Sequence, residues 1–185
     1  TFPAIFNVDN LGANAPAITL SSVAKGATSV TMSVTLTPVT AVPSTGKIII
    51  SLSGAGMALA SSGTAALAFT APAASANPAG TAALSGTSPN WVLTISFTGT
   101  GTYTGGQSIA FTIPGFTNPT NVQNAITTVA AATTANDGTT IVGASVTGTY
   151  PAIVDLLGAN APAITLSSVA KGATAVTMSV TLTPT

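Results

Sequence analysis

The side chains of this sequence that could act as acids, bases or metal ligands are few and far apart. The chain has three aspartates and three lysines, and it has no histidine, cysteine, glutamate or arginine. General acid–base catalysis needs a titratable group of suitable pKa beside the reacting atoms, and metal sites need clusters of histidine, cysteine or carboxylate ligands. We therefore expect no enzyme, no cofactor and no metal site. The charged residues are Asp9, Lys25, Lys47, Asp137, Asp155 and Lys171.

The charge balance also bears on binding partners. The net charge is zero, and the chain lacks arginine, which with lysine holds phosphates and often reads bases. We expect no nucleic-acid partner. Hydrophobic residues make up 46% of the chain, but no run of about 18 residues is free of Thr, Ser, Gly, Pro and charge. We therefore expect no membrane insertion.

The low charge predicts either self-association or a hydrophilic coat. Charged residues make up 3% of the chain, against about 25% in ordinary soluble domains, and a weakly charged surface promotes association. Asn118-Pro119-Thr120 is not a usable N-glycosylation sequon because proline is its middle residue. We expect O-linked glycans and an extracellular or cell-surface location. The candidate glycan carriers lie on the polar faces of predicted strands: Thr31, Thr35, Thr37, Thr94 and Thr98.

A few other side chains have two readings. Trp91, on an alternating strand, fits the core of a β-sandwich, and its alternative role is a sugar-stacking platform. A carbohydrate-binding loop site would lie around Trp91 or Tyr103. Lys25 or Lys47 could join an asparagine in an isopeptide bond assisted by a carboxylate. Lys47 also opens a predicted strand, where a lysine commonly protects an exposed edge.

The elements that must position these side chains are β-strands, because apolar and polar residues alternate along most of the chain. In residues 29–37, Val30, Met32, Val34 and Leu36 share one face, and threonine and serine share the other. Gly, Pro and Asn mark the turns, as in Asn136-Asp137-Gly138. The pattern predicts an all-β fold, an antiparallel immunoglobulin-like β-sandwich of about eight or nine strands. The other predicted strands are 47–52, 90–98 and 107–113, with weaker ones at 16–22, 65–69, 80–84, 122–130 and 139–147.

One segment of the chain occurs twice. Residues 157–184 reproduce residues 11–38 at an offset of 146 (157 minus 11), and only Ser29 and Ala175 differ. Residues 149–153 (TYPAI) echo residues 1–5 (TFPAI) once two residues are dropped. We predict a complete β-sandwich module at residues 1–148 and the first strands of a second copy at residues 149–185, repeated head-to-tail as in tandem arrays.

The second copy has an apolar face that two strands cannot bury by themselves, since an isolated hairpin is marginal in water. Each apolar side chain contributes roughly 1.5–3 kcal/mol when it is buried. The second copy therefore either continues into a further module or completes the sheet of a neighbouring chain by strand addition. Both alternatives give a linear polymer of the chain with itself. The predicted assembly residues are Ile164, Leu166, Val176, Met178, Val180 and Leu182.

Two stretches carry a resemblance to a known family. Residues 30–50 (VTMSVTLTPVTAVPSTGKIII) and residues 105–120 (GGQSIAFTIPGFTNPT) resemble the tandem immunoglobulin-like repeats of large secreted or cell-surface fibre proteins of algae and other protists. The resemblance implies a fibre or surface hair of the mastigoneme kind, often heavily glycosylated. The sequence thus favours a structural subunit of an extracellular filament, and the alternative is an adhesin or carbohydrate-binding surface module.

Overall fold

The computed structural model describes residues 9–10, 15–59, 64–66, 68–71, 79–135, 137–156 and 163–181. These residues form fourteen β-strands, and no helix occurs among them. The all-β prediction is therefore confirmed. The strands are β1 (Asp9–Asn10), β2 (Ala17–Leu20), β3 (Val30–Leu36), β4 (Lys47–Ser53), β5 (Ala58–Leu59), β6 (Thr64–Ala66), β7 (Ala68–Ala71), β8 (Gly80–Thr87), β9 (Asn90–Phe97), β10 (Ile109–Thr117), β11 (Ile126–Thr134), β12 (Ile141–Tyr150), β13 (Ala163–Leu166) and β14 (Met178–Thr181).

Twelve strands form one main sheet, in the order β5-β10-β3-β2-β12-β11-β4-β9-β8-β6. Strand β7 pairs with β10, and β1 pairs with β12. The sheet is nearly closed, because β6 at one end of this order lies against β10 near the other end. Strands β13 and β14 form a separate two-stranded sheet.

The main sheet is mixed, which differs from the purely antiparallel expectation. Most neighbours are antiparallel, but β12 pairs in parallel with both β1 and β2. The parallel contact with β2 is a single residue pair, Thr149 opposite Ala17. This contact joins two groups of strands in the main sheet. The first group is β5, β7, β10, β3 and β2, and the second is β12, β1, β11, β4, β9, β8 and β6.

The core lies inside the curved sheet and follows the predicted alternation. In β3 the four predicted inward side chains are at most 2% exposed, and β4, β9 and β10 alternate in the same way. Tyr150 is also fully buried, and its hydroxyl donates to Sδ of Met57 at 3.8 Å. Burial raises the pKa of the Tyr150 phenol above its usual range.

The predicted strand positions agree with the structure at each of the nine ranges, with boundaries shifted by a few residues. Residues 126–134 form a strand rather than a helix, as their threonine and valine content indicates. The range 65–69 falls on two short strands, β6 and β7, on either side of residue 67, which lies outside the described residues.

The turn between β11 and β12 is organised by Asp137. Its carboxylate accepts a hydrogen bond from the Thr140 hydroxyl, and its Oδ1 accepts the N–H groups of Thr139 at 2.8 Å and Thr140 at 2.7 Å. Gly138 follows with a φ of +66°, the left-handed conformation that glycine adopts without strain. These hydrogen bonds, that of the Thr140 hydroxyl first, lower the pKa of Asp137 to about 2.

This lowered pKa predicts an acid-dependent contribution to stability. The folded pKa lies below the unfolded value of 3.8, so the contribution is present above that value and is lost as the pH falls toward about 2. We expect Asp137→Asn to flatten the dependence of the free energy of unfolding on pH between 4 and 2, measured by urea denaturation. The chain has only two other aspartates, so the background titration is small. An unchanged slope in the variant would contradict this role.

Candidate assembly site

The charged residues of the described part of the chain do not form a catalytic or metal-binding cluster. Among the described residues, no three His, Cys, Asp or Glu side chains lie close enough together to hold a metal ion. Lys25 Nζ contacts Asp155 Oδ2 at 2.8 Å, with both side chains about one-third exposed. Lys47 donates its backbone N–H to Thr134 Oγ1 at 2.9 Å. In the part of the chain that the structure describes, no helix has the length and apolar character of a membrane span.

The rings of Tyr103 and Trp91, the two candidates for sugar binding, are buried or partly buried rather than exposed on a loop. Tyr103 is fully buried, and its ring packs 5.1 Å from that of Phe97, measured between centroids. Trp91 is partly buried and packs against the core cluster. Trp91 therefore has the position expected of a core tryptophan, and these two rings give no support to a stacking platform.

The candidate glycan carriers lie on outward faces, with different exposure. Thr35 and Thr98 are exposed, whereas Thr31, Thr37 and Thr94 are half-buried. Thr35 and Thr98 are therefore the more accessible of the five candidate carriers.

The strongest structural signal is the hairpin formed by β2 and β3, residues 17–36, which we call the first hairpin. Strand β3 pairs with β10 over most of its length, with Val34 opposite Phe111 and Met32 opposite Ile113. Strand β2 lies beside the end of β12, where Thr149 donates its N–H to the Pro16 carbonyl at 3.0 Å. The first hairpin is thus held between β10 and β12, and we call this location the hairpin-binding site.

Close packing at β12 depends on Gly148. A Cβ atom at this position would lie 2.6 Å from Pro16 Cγ and 2.8 Å from the Val129 carbonyl oxygen. Because Val129 belongs to the neighbouring strand β11, a side chain at Gly148 would push the first hairpin and β11 apart. The glycine is therefore required for the hairpin to enter the sheet.

Asn118 holds the turn of the first hairpin. It is 2% exposed, and its side-chain amide donates to the carbonyls of Ser22 at 3.0 Å and Ala24 at 2.8 Å. Its backbone N–H donates to the Ala27 carbonyl at 2.8 Å, and Gly26 donates to the Pro119 carbonyl at 2.8 Å. Sequence reasoning noted the Gly-Phe-Thr-Asn-Pro motif but missed this role, because the turn it binds is 94 residues away.

The segment that follows β12 also binds the turn of the first hairpin. Val154 exchanges two backbone hydrogen bonds with this turn, donating to Val23 at 2.9 Å and accepting from Lys25 at 2.9 Å. Ile153 is 1% exposed and exchanges two more with Gln123 at 2.8 Å each. The predicted boundary at residue 148 stays a prediction, but residues 149–155 pack here with the main sheet. We call residues 151–156 the connecting segment.

The second hairpin, residues 163–181, has the same internal geometry as the first. Its four cross-strand pairs are those of the first hairpin moved by 146 positions, from Ala163 opposite Thr181 to Leu166 opposite Met178. The turn is equivalent as well. The corresponding hydrogen bonds are Ser21 N to Thr31 O and Ser167 N to Thr177 O, both 2.9 Å, and Thr31 N to Ser21 Oγ and Thr177 N to Ser167 Oγ, also both 2.9 Å.

The one sequence difference between the hairpins leaves the backbone φ at that position nearly unchanged. Ser29 has a φ of +57° and Ala175 has a φ of +54°. Alanine is rarely found in this left-handed region, so the second hairpin keeps the turn of the first despite a less suitable residue.

The two hairpins differ in what covers them. Met32 and Val34 are fully buried, whereas the equivalent Met178 and Val180 are 61% and 48% exposed. Ile164, Leu166 and Val176 of the second hairpin are also exposed, and Leu182 lies outside the described residues. In the described part of the chain, β13 and β14 pair only with each other.

Comparison with protein-family models, with curated proteins and with solved structures found no match.

A matched pair of substitutions measures the difference in burial. Met32→Ala should lower the free energy of unfolding by about 2–5 kcal/mol, because it leaves a cavity in the core. Met178→Ala, in an identical local sequence, should change it by less than about 0.5 kcal/mol in dilute solution. Equal effects in chemical denaturation would show that the second hairpin is buried in the folded chain.

Proposed function

We propose that this protein is a structural subunit of an extracellular filament or surface fibre. Its modules are immunoglobulin-like β-sandwiches that follow one another head-to-tail, joined as tandem repeats or by exchanged strands. The resemblance to the fibre repeats of algae and other protists is part of this proposal.

One observation carries the proposal: the same hairpin is present twice, once buried in a sheet and once exposed. A module has one hairpin-binding site, while the described residues contain two hairpins that fit it. The second hairpin needs a second module of the same kind. A chain in which each module leaves a hairpin for the next grows along one direction, since the donor and acceptor surfaces differ.

The path of the chain supports a head-to-tail arrangement. The connecting segment contacts the first hairpin through the backbone of Val154 and through the ion pair between Asp155 and Lys25. In the sequence Asp155 is the second copy of Asp9, and Asp9 is the first residue of β1. The last contact with one module therefore falls on the residue whose first copy in the sequence begins a strand.

The composition supports an extracellular, glycosylated fibre. The chain has few charges with which to hydrate its surface, and Thr35 and Thr98 present hydroxyls on outward faces. Attached O-glycans would supply the hydration that the charges do not, and they would limit sideways association while the ends remain free.

Electron microscopy of the protein from its natural source tests the filament. We expect unbranched filaments with a regular axial repeat, because each module offers one donor and one acceptor surface. Monodisperse globular particles at all concentrations would refute the proposal.

Intact-mass measurement of the same material tests the coat. We expect mass above that of the polypeptide in steps of a sugar residue, and peptide mapping should place sugar on Thr35 or Thr98. An unmodified polypeptide would remove the glycan from the proposal and leave the filament untouched.

A further inference from the structure

We propose that the second hairpin enters the hairpin-binding site of a second copy of this chain and there replaces that copy's first hairpin. This inference rests on the proposed filament and names its joint. It assigns both surfaces, their register and the partner.

The register follows from the resident hairpin. Thr112 of β10 lies opposite Ser33, and Phe111 lies opposite Val34. Adding the offset of 146 residues places Ser179 of the incoming chain opposite Thr112, and Val180 opposite Phe111. The same shift places Ala163 beside Thr149 at the end of β12.

The turn of the incoming hairpin has a defined position as well. The Asn118 side chain binds the carbonyls of Ser22 and Ala24, and their equivalents are Ser168 and Ala170. In both hairpins an alanine backbone N–H donates to a serine hydroxyl within this turn, Ala24 N to Ser22 Oγ at 3.3 Å and Ala170 N to Ser168 Oγ at 3.2 Å. The turn is therefore already in the conformation that Asn118 binds.

The exchange is balanced in side-chain burial. The incoming hairpin buries the same residues that the departing hairpin exposes, so the hairpin-binding site has almost no basis on which to prefer one over the other. The resident hairpin is favoured because it belongs to the same chain, which gives it a high effective concentration. Any change that weakens the resident hairpin alone should shift the equilibrium toward the incoming one.

Disulfide trapping between two chains tests the docking and its register. The chain has no cysteine, so two single-cysteine variants give an unambiguous product. The acceptor carries Thr112→Cys together with Met32→Ala, and the donor carries Ser179→Cys. In a glutathione redox buffer we expect a disulfide-linked heterodimer, because residues directly opposite on paired strands have Cα atoms within disulfide range.

Matched variants show which contacts the heterodimer needs. Restoring Met32 in the acceptor should lower the heterodimer fraction about 30-fold or more, since burial of this methionine then favours the resident hairpin. Met178→Ala in the donor should lower it by a comparable factor. In a donor with Thr177→Cys instead of Ser179→Cys, the cysteine is two residues away from the position opposite residue 112. It should react poorly with Thr112→Cys.

A second measurement needs no cysteine and covers the case in which the acceptor folds poorly. The chain with Met32→Ala keeps an intact second hairpin, so its thermal midpoint should rise with protein concentration as chains fill one another's hairpin-binding sites. The chain with both Met32→Ala and Met178→Ala should lack this dependence. The same midpoint at all concentrations for the single variant would overturn the inference.

The outcomes separate the joint from the filament. If the native protein forms filaments but the Thr112→Cys and Ser179→Cys variants do not form the disulfide, the exchanged joint is overturned and the proposed filament stands. A heterodimer that forms equally in and out of register, or regardless of Met32, would also overturn the joint. A register-specific disulfide in material that forms no filaments would support the joint and refute the filament.

Discussion

The main sheet depends on covering the alternating apolar face of the first hairpin. This hairpin is the hydrogen-bonded link between β10 on one side and β12 on the other, so its burial both hides Met32 and Val34 and joins the two groups of strands. Isolated strands gain little from local hydrogen bonds, and a sheet is stabilised mainly by side chains packed against neighbours. The same requirement leaves the second hairpin unsatisfied, because its sequence has the same face and no main-sheet strand among the described residues covers it.

The parts of the fold that could be predicted are those that local periodicity determines. Alternation in β3, β9 and β10 identified the strands and their inward residues, since one buried face and one solvated face impose a period of two. Periodicity carries no information about partners. The parallel contact of β2 with β12 and the nearly closed order of strands arise from contacts between distant segments, and β1, β5 and β6 are too short to show a period at all.

The sequence predicted only the part of the candidate site that does not depend on contacts between distant segments. The duplicated sequence identified the second copy and its apolar residues, whereas the common register of the two hairpins came from the structure. The hairpin-binding site needed the structure. Asn118 is one polar residue in a proline-containing loop, Gly148 is one of eighteen glycines, and neither type reveals its distant neighbour. Lys25 and Asp155 are likewise an ordinary pair until the chain brings them within 2.8 Å.

The connecting segment has a mechanical consequence. Four backbone hydrogen bonds fix Ile153 and Val154, and Asp155, the second copy of Asp9 in the sequence, still contacts the first hairpin through Lys25. A flexible tether lets neighbouring domains tumble independently, but these contacts hold the chain against the main sheet as far as Asp155. In the proposed filament, the freedom of one module to turn against the next would therefore be limited to the residues between this segment and the second hairpin.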